Sequence, residues 1–188
     1  DATSVAKPLP LPLPLPLPLL VHRPTFSYRE LYGVTAIKRH EWATAQHLHG
    51  SFDGGNVGHS QYVWAKFPGG VHTAEKLMPL DKYYDQHPEW YGPLPLWQPC
   101  WLAKGVRQHL LQEARRALAA DPAATVISIS QNDNENACTS GADGEAIRAE
   151  GGAKAAPLLR AVNWIASRLA QSHPHVLVDT LVYQHTTD

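Results

Sequence analysis

Several features that would identify a common function class are missing from this sequence. Two cysteines, Cys100 and Cys138, occur without a CxxC or cysteine–histidine spacing, so no zinc site is indicated. No nucleophile elbow, P-loop or dinucleotide fingerprint is present, and neither a metal nor a cofactor is expected. The formal net charge of -1 provides no field that would attract phosphate backbones or an anionic membrane surface. Nucleic acid is therefore not an expected partner.

The sequence also lacks a long apolar run of the kind that could form a membrane helix. The longest uncharged stretch near the start, residues 8–21, alternates proline with leucine. Proline at every second position excludes the helix of a signal or membrane segment, so membrane insertion is not expected. The tract favours polyproline II, and residues 1–23 are predicted to form an extended arm or linker that could also dock into an aromatic groove. A secretion signal would have to lie upstream of Asp1 or have been removed.

Residues 24–188 have the composition of one globular domain. The whole chain has 188 residues, of which 44% are hydrophobic and 18% charged, enough to build a sizeable core. In the first half we predict a β-prone run at 25–31, a helix at 34–49, a short strand around 62–67 and a short helix from residue 80 that stops before Pro88. The aromatic cluster of Trp90, Tyr91, Trp97 and Trp101 fits two readings equally, a sugar-binding floor or ordinary core.

The second half contains the clearest periodic patterns. Residues 106–120 predict an amphipathic helix, whose inner face comprises Val106, Leu110, Leu111, Ala114 and Leu118. TVISIS at 125–130 and VLVDTLVY at 176–183 predict strands that are buried on both faces. Between them Pro157 suits the first turn of a helix, whose inner face comprises Leu158, Ala161, Val162, Ile165 and Leu169. The polar, glycine-containing segment 131–144 predicts a loop.

A strand, a helix and a second strand in this order predict a parallel pair joined by a right-handed crossover. The predicted fold class is therefore α/β. Its predicted core comprises Val126, Ile127, Ile129, Leu177, Val178 and Leu181 from the strands, with Leu110, Leu111, Val162 and Ile165 from the helices. Asp179, a charged residue in an apolar strand, needs a partner because an unpaired buried charge is expensive.

Polar side chains follow both predicted strands. Gln131, Asn132, Asp133 and Asn134 come after the first strand, and Tyr183, Gln184 and His185 come after the second. Because ligands of parallel α/β folds bind at the carboxyl ends of strands, this edge is the predicted site.

Asp133 is the leading candidate for chemistry at this edge. A carboxyl group among amides could act as a general acid, a general base or a nucleophile, whereas the alternative is an Asp that caps a loop. Glu135 could be the second carboxylate of a glycosidase pair, although nearness in sequence does not give the required separation. Tyr183 and His185 lie on one side of an extended chain and could hold sugar hydroxyls.

Four segments together resemble a known family. They read GVHTAEKLMPLDKYYDQHPEWYGPL, LWQPCWLAKGVRQHLLQEARRAL, ATVISISQNDNENAC and LLRAVNWIASRLAQSHPHVLVDTLVYQHT, and they are similar to the domain-of-unknown-function family 4838, a glycoside-hydrolase-like barrel related to α-glucuronidases. The resemblance covers about residues 72–186. It implies part of a TIM-type (β/α) barrel, preceded here by the proline-rich arm, and an extracellular or secretory location.

The resemblance also implies a carbohydrate ligand. The site carries over to His72, Asn132, Asp133 and Tyr183, and with Arg29 as a further substrate-orienting group the expected function is to act on or bind a polysaccharide or glycoconjugate. The alternative is a binding or structural module without catalysis. Two departures bear on this choice. The family usually continues into several cysteines where this chain keeps only Cys138, and the chain is shorter than a full barrel, so the rest of a larger polypeptide or a partner subunit could complete it.

Overall fold

The computed structural model describes residues 25–26, 28–29, 40–48, 50–51, 55–56 and 62–187. In chain order the elements are α1 His40–Ala45, β1 Gly50–Ser51, β2 Gly55–Asn56, α2 Ala74–Leu77, α3 Leu80–Tyr83, a 3₁₀ turn Pro88–Trp90, α4 Val106–Ala120, β3 Val126–Ser128, α5 Gly141–Ala149, α6 Ala156–Ser172, β4 Leu177–Asp179 and a 3₁₀ turn Gln184–Thr186. The predicted arm at 1–23 and residues 34–39 and 49 of the predicted first helix lie outside the described residues, as do residues 27, 30 and 31 of the β-prone run at 25–31.

Strand β3 has a parallel neighbour on each side. It pairs in parallel with β4, with Ile127 opposite Val178. On its other side Trp64 forms a parallel bridge to Val126, and the N–H of Ala65 donates to the Val126 carbonyl at 2.8 Å. The predicted α/β fold with parallel strands is confirmed, whereas closure into a barrel stays a prediction. None of the helices in the described ranges is long and apolar enough to cross a membrane.

The two long helices, α4 and α6, pack against each other and cover the sheet. Helix α4 has the predicted bounds, and α6 begins one residue before Pro157, whose fixed φ suits a first turn. Both predicted inner faces are buried, which confirms them. Leu110 and Ile165 from the helices are fully buried, as are Ile127 of β3 and Ile129, which directly follows that strand.

Strand β4 differs from its prediction. It ends at Asp179, and Leu177 is 55% exposed, while Val178 and Leu181 are only partly buried. The prediction of Leu177 as core was wrong, because among the described residues β4 has β3 on one side only. Strand β3 is also shorter than predicted, since the N–H of Ser130 donates to the Thr73 hydroxyl at 2.9 Å and not to a neighbouring strand.

The segment predicted as a loop up to residue 144 contains the start of a helix, since α5 begins at Gly141. The glycines of this segment suggested a loop, but Gly144 lies inside α5, where it allows close packing. A Cβ atom at this position would collide with the carbonyl oxygen of Thr139, so only glycine allows α5 to lie this close to the preceding segment.

The aromatic cluster belongs to the hydrophobic core. Trp90, Tyr91, Trp97 and Trp101 are each less than 10% exposed, at 7%, 6%, 8% and 3%. Of the two readings of these residues, the structure therefore confirms ordinary core.

A disulfide joins Cys100 to Cys138, with the two Cα atoms 5.1 Å apart. This bond was not predicted from the sequence, although an even number of cysteines is compatible with one. It ties the segment before α4 to the loop after β3 across a sequence separation of 38 residues. This loop is the one that contains Asp133 and Glu135.

Candidate functional site

The segments that follow β3 and β4 meet at one edge of the sheet, as predicted. The side chain of Gln131 joins them, because its Nε2 donates to the Tyr183 carbonyl at 2.6 Å. Its Oε1 accepts from the Thr186 hydroxyl at 2.7 Å. A single buried amide therefore fixes the position of one segment against the other.

Asn132 is built into the framework of this edge. Its side-chain Oδ1 accepts from the N–H of Glu75 at 2.8 Å, and its Nδ2 donates to the Trp97 carbonyl at 3.1 Å. The residue is 4% exposed, so its amide positions α2 and the segment around Trp97. A direct contact to a ligand would require it to give up one of these bonds.

Gln98 makes a similar set of contacts, and sequence reasoning missed it. Its Oε1 accepts from the N–H of Asn132 at 3.0 Å, and its Nε2 donates to the Asn132 carbonyl at 2.9 Å. The same Nε2 contacts the carbonyl and the side-chain oxygen of Asn134. Gln98 lies in an aromatic and proline-rich run where neither helical nor strand periodicity signals a role. The Gln98 side chain is fully buried, and its amide fixes the backbone of the loop after β3.

Asp133 is exposed at this edge and is held by Gln184, whose Nε2 donates to its Oδ1 at 3.0 Å. Gln184 lies between Tyr183 and His185 in the chain. Asp133 is therefore close to the segment that contains these two candidate residues. Glu135 is exposed on the same loop, close enough for its charge to act on His185. The carboxylates of Asp133 and Glu135 thus both lie near the segment that follows β4.

His72 and Tyr183 form a ring pair next to this segment. Their ring centroids are 5.6 Å apart and the planes are tilted by 57°. The Nδ1 of His72 lies 3.1 Å from the Gln131 carbonyl, and because a carbonyl only accepts, Nδ1 carries the proton. In the neutral ring Nε2 is then an acceptor. Tyr183 is 43% exposed, so the pair presents an aromatic surface with polar atoms to solvent.

His185 is buried beneath the edge. Its Nδ1 lies 3.4 Å from the Asn134 carbonyl and 3.4 Å from Nε2 of Gln131. Burial lowers its pKa below the ordinary value, with the Asn134 carbonyl acting in the opposite direction. The imidazole is therefore neutral near pH 7, and its position makes it a support of the loop that contains Asp133.

Arg29 makes its described hydrogen bonds with the N-terminal part of the domain. Its guanidinium donates to the His47 carbonyl through Nε at 2.9 Å and through Nη2 at 2.6 Å. Nη1 donates to the Phe26 carbonyl at 2.6 Å. These bonds hold two chain segments together.

A groove of about 630 Å³ adjoins the edge beside Asn132. Its wall includes Trp97 and Glu75, whose backbone groups bind the Asn132 side chain. Asp81, Asp85 and Tyr84 line the rest of the polar side of the groove. Within the described ranges, no group of three or more His, Cys, Asp or Glu side chains is arranged to hold a metal ion.

A second cavity of about 650 Å³ lies beside the disulfide. Asp143, in the first turn of α5, is 1% exposed there. Its carboxylate accepts from the N–H groups of Trp101 and Leu102, each at 2.8 Å. Burial raises its pKa to about 6, although both N–H donors act in the opposite direction. Asp143 thus fastens α5 to the segment that follows Cys100.

Comparison with known proteins gives a match to one family model. The model described as Domain of unknown function (DUF4838) matches residues 3–188. This confirms the family predicted from four sequence segments, over nearly the whole chain. No curated protein and no solved structure matches the chain.

Proposed function

The chain belongs to the family described as a domain of unknown function (DUF4838), and on this premise we propose that it is a carbohydrate-active protein whose ligand lies at the strand-end edge. In this proposal the parallel strands are part of a glycoside-hydrolase-like (β/α) barrel, which binds or acts on a polysaccharide or glycoconjugate. The chemistry and the backbone of the edge support the proposal.

Backbone strain at this edge is the main support. His72 and Gln184 both have φ of 49°, in the left-handed region that non-glycine residues rarely adopt. They are two of the three such residues in the described part of the chain, and both contact the segments that meet at the edge. Strained residues of this kind cluster at ligand clamps and active sites.

A buried acceptor adds to this argument. The Oε1 atom of Gln184 is buried and makes no hydrogen bond among the described residues. Nearly all buried polar atoms are hydrogen-bonded, so such an exception calls for an explanation, and a ligand at a functional site is one. A hydroxyl group that reaches this oxygen after a small movement of the side chain would satisfy it.

The exposed groups suit a sugar. A sugar ring has apolar C–H faces and hydroxyls that both donate and accept. The Tyr183 side chain offers an aromatic surface and a hydroxyl that can donate and accept, the Nε2 of His72 an acceptor and the Asp133 carboxylate two more acceptors. Asn132 and His185 support this arrangement from beneath.

Binding can be tested with a panel of neutral oligosaccharides and calorimetry. His72→Asn keeps a residue that tolerates the left-handed backbone but removes the imidazole, and Tyr183→Phe removes only the hydroxyl. Each change should weaken binding about tenfold, as the loss of one or two hydrogen bonds to a ligand implies. Glu145→Gln, an exposed change on α5, is the matched control. Equal affinity of all variants would remove the edge as the binding site.

Hydrolysis is the second candidate function, and the exposed carboxylates at the edge favour it. Asp133 is proposed as the acid/base and Glu135 as its partner, since a pair of carboxyl groups is what glycoside hydrolysis usually requires. Asp133→Asn should then lower turnover of an activated aryl glycoside by a factor of roughly 10² to 10⁴, with unchanged folding. Unchanged turnover would leave binding alone as the function.

The disulfide supports the expected location. Disulfides persist in oxidising compartments and are rare in the cytosol, and Cys100–Cys138 is buried within the structure. An extracellular or secretory location is therefore part of the proposal. Free thiols in protein purified from its native source would contradict it.

A further inference from the structure

An indole with two arginine neighbours lies on the helical layer, away from the strand-end edge. The Arg107 guanidinium is 5.2 Å from the centroid of the Trp164 ring, and the Arg168 guanidinium is 5.0 Å from it. Arg168 follows Trp164 by one turn of α6, while Arg107 comes from the first turn of α4. The packing of α4 against α6 therefore assembles this cluster from two elements.

Neither guanidinium has a carboxylate partner in the part of the chain that the structure describes. The ion pairs found there join Arg116 to Glu113, Arg160 to Glu150, and His87 to Glu89. Arg160 makes an instructive comparison, because it lies one turn before Trp164 on α6 and is neutralised by Glu150.

Two like charges against one ring repel each other. Both lie about 5 Å from the same centroid, so they are within about 10 Å of each other, roughly one Debye length at 0.1 M salt. One cation would be enough for a cation–π contact. An anionic ligand that spans both guanidiniums would relieve the repulsion, and the planar fork of Arg suits oxyanions.

We propose that Arg107, Trp164 and Arg168 form a second binding surface, for a sulfated polysaccharide. The sulfate groups would accept from the two guanidiniums, and the indole would hold both guanidiniums in place through its cation–π contacts. Arg107 and Trp164 are partly buried and Arg168 is exposed, so all three side chains reach the solvent. The choice of a polysaccharide over an acidic protein rests on the proposed function, because the chain would then meet carbohydrate polymers.

The test measures binding of the full chain to sulfated dextran, with neutral dextran and poly-aspartate of similar length as comparisons. Arg107→Gln and Arg168→Gln should each lower the affinity for sulfated dextran at least threefold, and the double variant at least tenfold. Arg115→Gln is the matched control, an exposed arginine two turns further along α4, and should change the affinity less than twofold. Circular dichroism and urea unfolding verify that all variants are folded.

Three results would overturn this inference. They are equal binding by the double variant and Arg115→Gln, no preference for sulfated over neutral dextran, and binding of poly-aspartate as tight as that of sulfated dextran. His72→Asn and Tyr183→Phe separate the two sites, because they should leave sulfated dextran binding unchanged. If they weaken neutral oligosaccharide binding while the arginine variants change nothing, the inference fails and the proposed function stands. If only the arginine variants have an effect, the proposed strand-end site fails instead.

Discussion

Strands β3 and β4 have similar sequences and different surroundings. Both are short and mostly apolar, yet all three residues of β3 are buried while Leu177 at the start of β4 is 55% exposed. Strand β3 has parallel neighbours on both sides, whereas the described structure gives β4 only one. An apolar run therefore identifies a strand, but its place in the sheet decides how much that strand contributes to stability.

The segments that follow the two strands also differ, in how strongly each is held to the rest of the fold. The loop after β3 is held by the Gln98 amide and by the Cys100–Cys138 disulfide. The segment after β4 is held mainly by hydrogen bonds from Gln131 and Thr186. The site thus joins a strongly restrained side to a more weakly restrained one.

Truncating a large aliphatic side chain directly after β3 and another within β4 should give the largest difference. Ile129→Ala leaves a cavity at a fully buried position and should lower the free energy of unfolding by about 2 to 5 kcal/mol. Leu177→Ala removes a side chain that is already half in water, so we expect a change of about 1 kcal/mol or less. Urea unfolding measures both. Equal effects would mean that another part of the protein covers β4.

Removal of the disulfide tests the restraint on the loop after β3. The double change Cys100→Ser and Cys138→Ser should lower the free energy of unfolding by roughly 2 to 4 kcal/mol. Without the disulfide, the unfolded chain gains conformational entropy, because its two ends of a 38-residue separation are no longer joined. Unfolding of the unmodified protein in a dithiol reductant is the control and should give a similar decrease. A change under about 0.5 kcal/mol would assign the restraint to the amide network alone.

The two long helices and the convergence of polar residues were predictable because they depend on local information. The apolar positions of α4 and α6 recur with helical periodicity, and parallel strands joined by a crossover must end on the same side. These two patterns are enough to assign Asp133 and Tyr183 to one edge of the sheet.

The contacts that organise the edge could not be predicted because they are non-local. Gln98 contacts Asn132 from 34 residues away, and no periodic pattern marks it. The pairing of Cys100 with Cys138 and the exposure of Leu177 likewise depend on which segments become neighbours. Helix α5 was missed because Gly141 and Gly144 suggest a loop, and only the close approach to Thr139 explains the second glycine.

A change at Thr186 examines the more weakly held side of the site. Thr186→Val keeps the shape of the side chain but removes a buried hydroxyl, which donates to Gln131 and accepts from the Tyr183 N–H. It leaves the Gln131 oxygen unsatisfied, so the free energy of unfolding should fall by about 1 to 3 kcal/mol. Thr187→Val is the control. The Thr187 hydroxyl donates to the Gln184 carbonyl at 2.7 Å, but at an exposed position where water can replace it, so the free energy of unfolding should stay within about 0.5 kcal/mol. Similar values for both would show that the Gln131 bridge is unimportant.

The smallest expected effect concerns pH and His185. Burial lowers its pKa, so the folded state favours the neutral ring, and its contribution to stability is lost as pH falls below the ordinary value near 6.5. Asp143 acts in the opposite sense, because its raised pKa makes the folded state bind a proton more readily and adds stability as pH falls below about 6.

The two contributions can be separated by unfolding the protein at pH 7 and pH 5 in an Asp143→Asn background. With Asp143 removed, the protein with His185 should lose more stability between these pH values than a His185→Gln variant does. The same pH dependence in both proteins would mean that His185 titrates alike in the folded and unfolded chains.

Gly144 gives a practical criterion for sorting the relatives of this chain. Because any side chain at that position would meet the Thr139 carbonyl, a relative with another residue there cannot keep α5 at the same distance. In such a relative the carboxylate of Asp143 would also move away from the backbone groups that it now binds. One aligned column can therefore divide homologues into those whose loop geometry can be copied from this structure and those that need a structure of their own.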